Sequence, residues 1–179
     1  PLYYYYPPAS YFLVGGIDYF VDDIDFSYRI FLFGSLFVGG IVAYLLTRQW
    51  LRPLPAMAGA MFYMLAPYTM KMVFWEGNLP RTLSFIFVPL VFLMAVRLID
   101  TGQRRFLIGL ALSLAALILT HHMPGVTTLV LLSVFVPVYA FGRVPFNRMF
   151  LFAAGVATGL GLSAFWLFPA ITPSELPDV

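Results

Sequence analysis

The residues best placed to do chemistry lie in Trp75-Glu76-Gly77-Asn78-Leu79-Pro80-Arg81. Here a carboxylate, an amide and a guanidinium share one short stretch between two long apolar runs. The chain is 61% hydrophobic and only 10% charged, so the positions of its polar groups are informative. An ionisable group at a helix end, facing a pocket between helices, can act as base, metal ligand or donor-binding group, and Glu76 fits that description. The plainer reading of Glu76 is a solvated joint carboxylate favoured by the helix dipole. Asn78 reads first as the N-cap of a helix that starts at Leu79, with Pro80 in its first turn, and only second as a ligand. Arg81 falls one turn inside an apolar helix, where an unpaired charge is expensive. It has three outlets: snorkelling to the headgroups, pairing with Glu76, or gripping a phosphate with its planar fork of donors.

A second polar pair, His121-His122, stands just before Met123-Pro124. Neutral imidazole there can ligate a metal, bond a phosphate or relay a proton. Adjacent residues on a helix point about 100° apart, so the two cannot chelate one ion as an i, i+4 pair does. The expectation is one inward and one interfacial histidine. The run Asp18, Asp22, Asp23 and Asp25 reads as a solvated acidic rim. Lys71 and Arg29 read as snorkelling side chains. No nucleophile elbow, phosphate-binding loop or HExxH pattern is present.

The elements that must position these groups follow from composition. A mean hydropathy of +0.90, with repeated apolar runs of about 18 residues or more, is the mark of an integral membrane protein. Inside a bilayer such runs must be helices, because no water satisfies their backbone. Short alternating strands, the mark of a barrel, are missing. The chain has no cysteine, which excludes disulfides and thiolate metal sites, and a net charge of +2 with no basic tract argues against nucleic acid.

The fold class expected is all-α: a polytopic transmembrane bundle of about six spanning helices plus an N-terminal juxtamembrane helix. The spans expected are 27–47, 54–74, 79–99, 105–121, 124–142 and 149–169, joined by short loops that imply antiparallel neighbours. Residues 1–25 form the juxtamembrane segment, 26–171 the bundle, and 172–179 the start of a further loop. With no initiator Met, the chain reads as a fragment of a larger membrane protein. Arg48, Arg52, Arg97, Arg104, Arg105, Arg143 and Arg148 fall at alternate joints, which the positive-inside rule makes cytoplasmic. The WEGNLPR joint, Glu175 and Asp178 then belong to the outer face. Pro67, Pro89 and Pro137 predict kinks, and the Gly155/Gly159 spacing predicts that the last helix packs in the bundle interior.

The order of these features resembles GT-C-type polytopic membrane glycosyltransferases. The shared features are the Tyr6-Pro7-Pro8 segment, the basic helix end TRQWLR, the MLAPYTM helix and the short acidic joint. More closely, GNLPRTLSFIFVPLVFL, LTHHMPG and LSAFWLFPAI are similar to prokaryotic membrane proteins bearing the 6-pyruvoyl-tetrahydropterin synthase-related domain, a name that implies no pterin chemistry here. The resemblance implies a transferase in a prokaryotic plasma membrane, moving sugar from a polyprenyl-phosphate donor to an acceptor on the outer face. Membrane lipids and the polyprenyl-phosphate-linked sugar are the partners implied. It places the catalytic aspartate upstream of Pro1, and puts Glu76 at the position of a second acidic residue that binds donor phosphate or a divalent metal. Arg81 and His121, with His122 and Asn78 beside them, become candidates for the donor-phosphate or metal site. A transporter of lipid-linked sugar or ions, or a non-catalytic scaffold subunit, is the alternative from another class.

Overall fold

A computed structural model describes residues 9–171, with side chains through residue 168. Tyr6-Pro7-Pro8, Glu175 and Asp178 lie outside the described residues. The described chain is helical throughout, as the apolar runs require: α1 (Ala9–Val21), α2 (Ile24–Thr47), α3 (Pro53–Leu65), α4 (Pro67–Met70) running into a π turn (Lys71–Trp75), α5 (Leu79–Thr101), α6 (Arg104–Thr120), α7 (His122–Ala140) and α8 (Asn147–Ile171).

Four of these, α2, α5, α7 and α8, are long and apolar enough to cross a membrane. The six spans expected therefore resolve into four continuous crossing helices, a shorter apolar α6 of 17 residues, and an interrupted segment over 53–75. α1 is the expected short helix. It is not detached from the bundle, since Val14 packs in one buried cluster with Phe31, Leu32, Met72, Val73, Leu83 and Phe85.

α5 is the spine. Its N-terminal half contributes to that cluster, and its C-terminal half (Val91, Ala95, Leu98, Ile99) forms a second one with Leu110, Leu114 and Leu117 of α6 and Leu132 and Val136 of α7. The arginine-bearing joints gather at one end of the bundle. There the Trp50 and Tyr139 rings meet edge-on at 6.0 Å, the Tyr139 hydroxyl donates to Asp100 Oδ1 at 3.0 Å, and Arg148 donates to the Ile99 carbonyl at 2.7 Å.

α8 departs from expectation. A Cβ on Gly159 would lie 2.9 Å from the Ala111 carbonyl oxygen, so this face does press against α6 backbone to backbone, as small residues permit. Yet only 17% of its apolar stretch is buried. The helix is peripheral, and its closest approach to the bundle is along this glycine-bearing stripe.

The prolines act in two ways. Pro89 stays inside α5 and Pro137 inside α7. At Pro67 the helix stops altogether, with Ala66 turning out to φ −54°, ψ 137°. A proline removes the N–H that would have bonded the carbonyl four residues back. For Pro67 that carbonyl is Tyr63, and the Thr69 hydroxyl donates to it at 3.0 Å. For Pro89 it is Phe85, and the Tyr63 hydroxyl donates to it at 2.8 Å. Two orphaned acceptors in apolar surroundings are thus satisfied by a hydroxyl relay, which lets the interrupted segment sit against α5 without leaving bare carbonyls.

Candidate functional site

The end of the bundle opposite the arginine joints is built by the connection from the π turn to α5. The π turn closes with the Glu76 N–H donating to the Lys71 carbonyl at 3.0 Å. π turns are often found at functional positions because they re-aim side chains by a fraction of a turn. Gly77 adopts φ 55°, and its carbonyl accepts from the Tyr28 hydroxyl of α2 at 3.0 Å. Asn78 then caps α5, its side chain accepting from the Arg81 N–H at 3.1 Å, and Pro80 occupies the first turn. The capping reading of Asn78 is the structural one. It is also what fixes the azimuth of Arg81.

Arg81 is drawn inward rather than snorkelling freely. Its guanidinium carbon lies 5.8 Å from the centroid of the Tyr68 ring, and Nη1 donates to the Met72 sulfur at 3.3 Å. Glu76 Oε2 approaches Nη1 only to 4.0 Å, whereas Glu76 Oε1 is 3.2 Å from Lys71 Nζ. The carboxylate is thus held mainly by Lys71, and the arginine keeps most of its charge unspent. Its Nε is buried and has no hydrogen-bond partner among the described residues. A buried charged donor left unmatched is costly, and native proteins keep one where strain, a catalytic role or a bound water or ion accounts for it.

The histidines come to the same end, in a geometry different from the one expected. They do not follow each other along one helix. His121 has extended backbone (φ −159°, ψ 116°), ends α6 and caps α7 by accepting the Met123 N–H on Nδ1 at 3.3 Å. The cause is Pro124, whose ring would collide with the carbonyl of Thr120 if the helix ran on. The break brings the two imidazoles together nearly parallel, centroids 5.5 Å apart with 27° between their planes, rather than fanning the side chains apart around one helix. His121 is buried and His122 half-buried. Because Nδ1 of His121 is an acceptor, its neutral ring carries the proton on Nε2. His121 sits in the joint between two helices, where burial first, then the Arg81 charge, then His122, all push its pKa below the ordinary imidazole value. It is therefore a neutral donor at physiological pH. His122 Nδ1 is a second buried polar atom without a partner among the described residues.

Trp166 of α8 completes this end, its ring centroid 6.2 Å from that of His122. Residue type alone did not single it out, nor Tyr28, Tyr68 or Met72. The usable signal for Trp166 was its rarity, as one of 3 tryptophans, together with the counting of antiparallel crossings, which brings the end of α8 beside the start of α7. The acidic residues of the first joint have structural roles: Asp23 caps α2 through the Phe26 N–H at 3.1 Å, and Asp18 accepts from the Ser27 hydroxyl at 3.3 Å. Lys71 is an ion-pair partner of Glu76 rather than a free snorkelling cation. Among the described residues no three His, Asp or Glu side chains converge as a metal-ligand set.

The end of the bundle thus presents one guanidinium with an unmatched buried donor, one carboxylate, two stacked imidazoles and an indole. No curated protein and no solved structure matches the chain. One family model does, described as the 6-pyruvoyl-tetrahydropterin synthase related domain of membrane proteins, and it covers residues 3–176. That is nearly the whole chain, and the protein belongs to this family of membrane proteins.

Proposed function

We propose that the chain forms the core of a membrane glycosyltransferase that takes sugar from a polyprenyl-phosphate donor and passes it to an acceptor on the outer face. The observation that carries this reading is Arg81, with its buried, unmatched Nε one turn inside an apolar helix. A phosphate at headgroup depth would satisfy that donor through the planar fork that guanidinium offers to phosphate, while the polyprenyl tail remained in lipid. Neutral His121 and half-buried His122 add donors beside it, and Trp166 offers an apolar wall. Glu76, tied to Lys71, balances the local charge and stands where an acceptor or a divalent metal would meet the donor phosphate. Attack on the sugar carbon from the side opposite the phosphate would invert that carbon, with a base taking the acceptor proton. The described residues are assigned no such base. The outer placement follows from the arginine joints at the other end, by the positive-inside rule.

The test is release of free polyprenyl phosphate by the purified protein in nanodiscs, given a panel of polyprenyl-phosphate sugars. Acceptor-dependent release, abolished in Arg81→Ala and strongly reduced in Glu76→Gln, is expected. No release across the panel, with lipid binding indifferent to both substitutions, overturns the reading.

A transporter of lipid-linked sugar or ions is the second reading, and the interruption at Ala66–Pro67 favours it, since broken helices line many transport sites. Against it, the Thr69 hydroxyl already satisfies the Tyr63 carbonyl freed at the break, and no ionisable carboxylate, imidazole or amine stands at residues 63–69. Movement of donor across a vesicle membrane without release of polyprenyl phosphate would decide for it.

A further inference from the structure

At the arginine-rich end a groove of about 520 Å³ runs between α5 and α7, walled by Phe92, Leu131, Val134 and Phe135 and closed at its mouth by Tyr139 and Arg143. Its walls are apolar and open to the outside, with Val134 63% exposed. Leu131 to Ala140 covers nine helical steps, or about 14 Å, close to half of the ~30 Å hydrocarbon core. The groove is therefore as deep as one leaflet. Its mouth is cationic. The Arg143 guanidinium lies over the Tyr139 ring at 5.2 Å, and no carboxylate among the described residues forms an ion pair with it. Arg148, by contrast, spends its donors on the carbonyls of Ile99 and Asp100, and the Asp100 carboxylate, which keeps its charge, accepts from the Tyr139 hydroxyl without forming an ion pair with Arg143. An apolar channel of one-leaflet depth with a single unspent cation at headgroup level matches the shape and charge of one molecule.

We infer that this groove is a binding site for an anionic phospholipid of the leaflet at the arginine-rich end, with a chain along α7 between Phe92 and Leu131 and its phosphate on Arg143. Basic mouths between membrane helices recognise acidic headgroups in this way. The site stands at the opposite end of the bundle from Arg81, so it does not rest on the proposed transfer reaction. It would fill the groove that Phe92 of α5 and the α7 residues wall, as a wedge of lipid rather than of protein.

Native mass spectrometry and thermal unfolding of the detergent-solubilised protein test this, using phosphatidylglycerol and phosphatidylcholine with identical chains. Wild type is expected to retain phosphatidylglycerol preferentially and to unfold at higher temperature with it. Arg143→Gln should lower that preference about fivefold, the share of one basic residue in attraction to an anionic surface. Val134→Trp, at an exposed position that leaves the core untouched, should block the groove and abolish the retention while the protein stays folded. Arg104→Gln, at the same end but outside the groove, should change little. Equal retention of the two lipids, an unchanged preference in either groove variant, or an equal loss in Arg104→Gln would overturn the inference. So would a lipid-independent dimer that the two groove variants dissociate, which would put a second copy of the chain there instead.

Discussion

Replacing Gly77 with alanine probes the joint that carries Glu76, Asn78 and Arg81. The backbone there is at φ 55°, and a Cβ would stand 2.5 Å from the Tyr28 hydroxyl oxygen. Holding an L-residue in the left-handed region costs roughly 1–2 kcal/mol. Alanine recovers roughly 0.4–1 kcal/mol of that by restricting the unfolded chain, which leaves about 1 kcal/mol. The clash evicts the Tyr28 hydroxyl, and the hydrogen bond it donates to the Gly77 carbonyl is worth roughly 0.5–1.5 kcal/mol. Gly77→Ala should therefore destabilise by about 2 kcal/mol. Tyr28→Phe removes only the bond, for about 1 kcal/mol. In the double variant no hydroxyl remains to evict, so its cost should match that of Gly77→Ala alone and fall about 1 kcal/mol short of the sum of the singles. Unfolding in mixed micelles with rising SDS, followed by far-UV helicity, reads all four corners of the cycle. Strict additivity, or a Gly77→Ala protein as stable as wild type, would refute the reasoning, because either result means that the hydroxyl and the left-handed turn are not joined as described.

Three further outcomes follow from the same geometry. Asn78→Ala should lose about 1 kcal/mol with its cap, while Asn78→Asp should keep most of it in the same micelle assay. Gly159→Ala should cost roughly 1–3 kcal/mol by overpacking against the Ala111 carbonyl; Gly161→Ala, which meets nothing, should instead gain roughly 0.5–1 kcal/mol of helix propensity. His121 has a depressed pKa in the fold, so the unfolded chain binds its proton first as pH falls. Stability is therefore full above the ordinary imidazole value and declines below it. The melting temperature should drop as pH falls from about 6.5 toward about 4, between the unfolded and the folded pKa, and His121→Asn, which keeps an acceptor for the α7 cap, should flatten that slope.

Much of this arrangement was legible in the chain itself, for identifiable reasons. α2, α5, α7 and α8 are apolar over about the thickness of the hydrocarbon core, and nothing else satisfies their backbone in lipid. Asn78 and Pro80 carry a start signal whose mechanism is local, so it survived into the fold unchanged. The arginines at alternate joints likewise gathered at one end. The errors arose where a partner elsewhere decides. A proline inside an apolar run reads as a kink, but at Pro67 the outcome is a full stop and a π turn, because Thr69 can serve the Tyr63 carbonyl. Adjacency places the two histidines on one helix, whereas the i−4 clash of Pro124 with Thr120, itself legible from spacing, ends the helix between them. The GxxxG stripe told correctly that α8 has a close neighbour, but not that most of the helix stays outside the bundle. Burial of Arg81 Nε could not be read at all, since it depends on where Tyr68 and Met72 arrive.

The hydroxyl relay also bears on how this sequence can change over time. Pro67 makes the Tyr63 carbonyl needy, Thr69 answers it, and the Tyr63 hydroxyl answers the need that Pro89 creates at the Phe85 carbonyl, twenty-two positions further along. None of these four residues is free to drift alone. Loss of the tyrosine hydroxyl strands a carbonyl, at roughly 1–3 kcal/mol, unless Pro89 reverts to a residue with an N–H. Loss of the Thr69 hydroxyl does the same unless Pro67 goes. Positions 63 and 89, and positions 67 and 69, should therefore substitute as pairs in an alignment of the family. That co-variation is a historical record of the bonds, readable without purifying the protein.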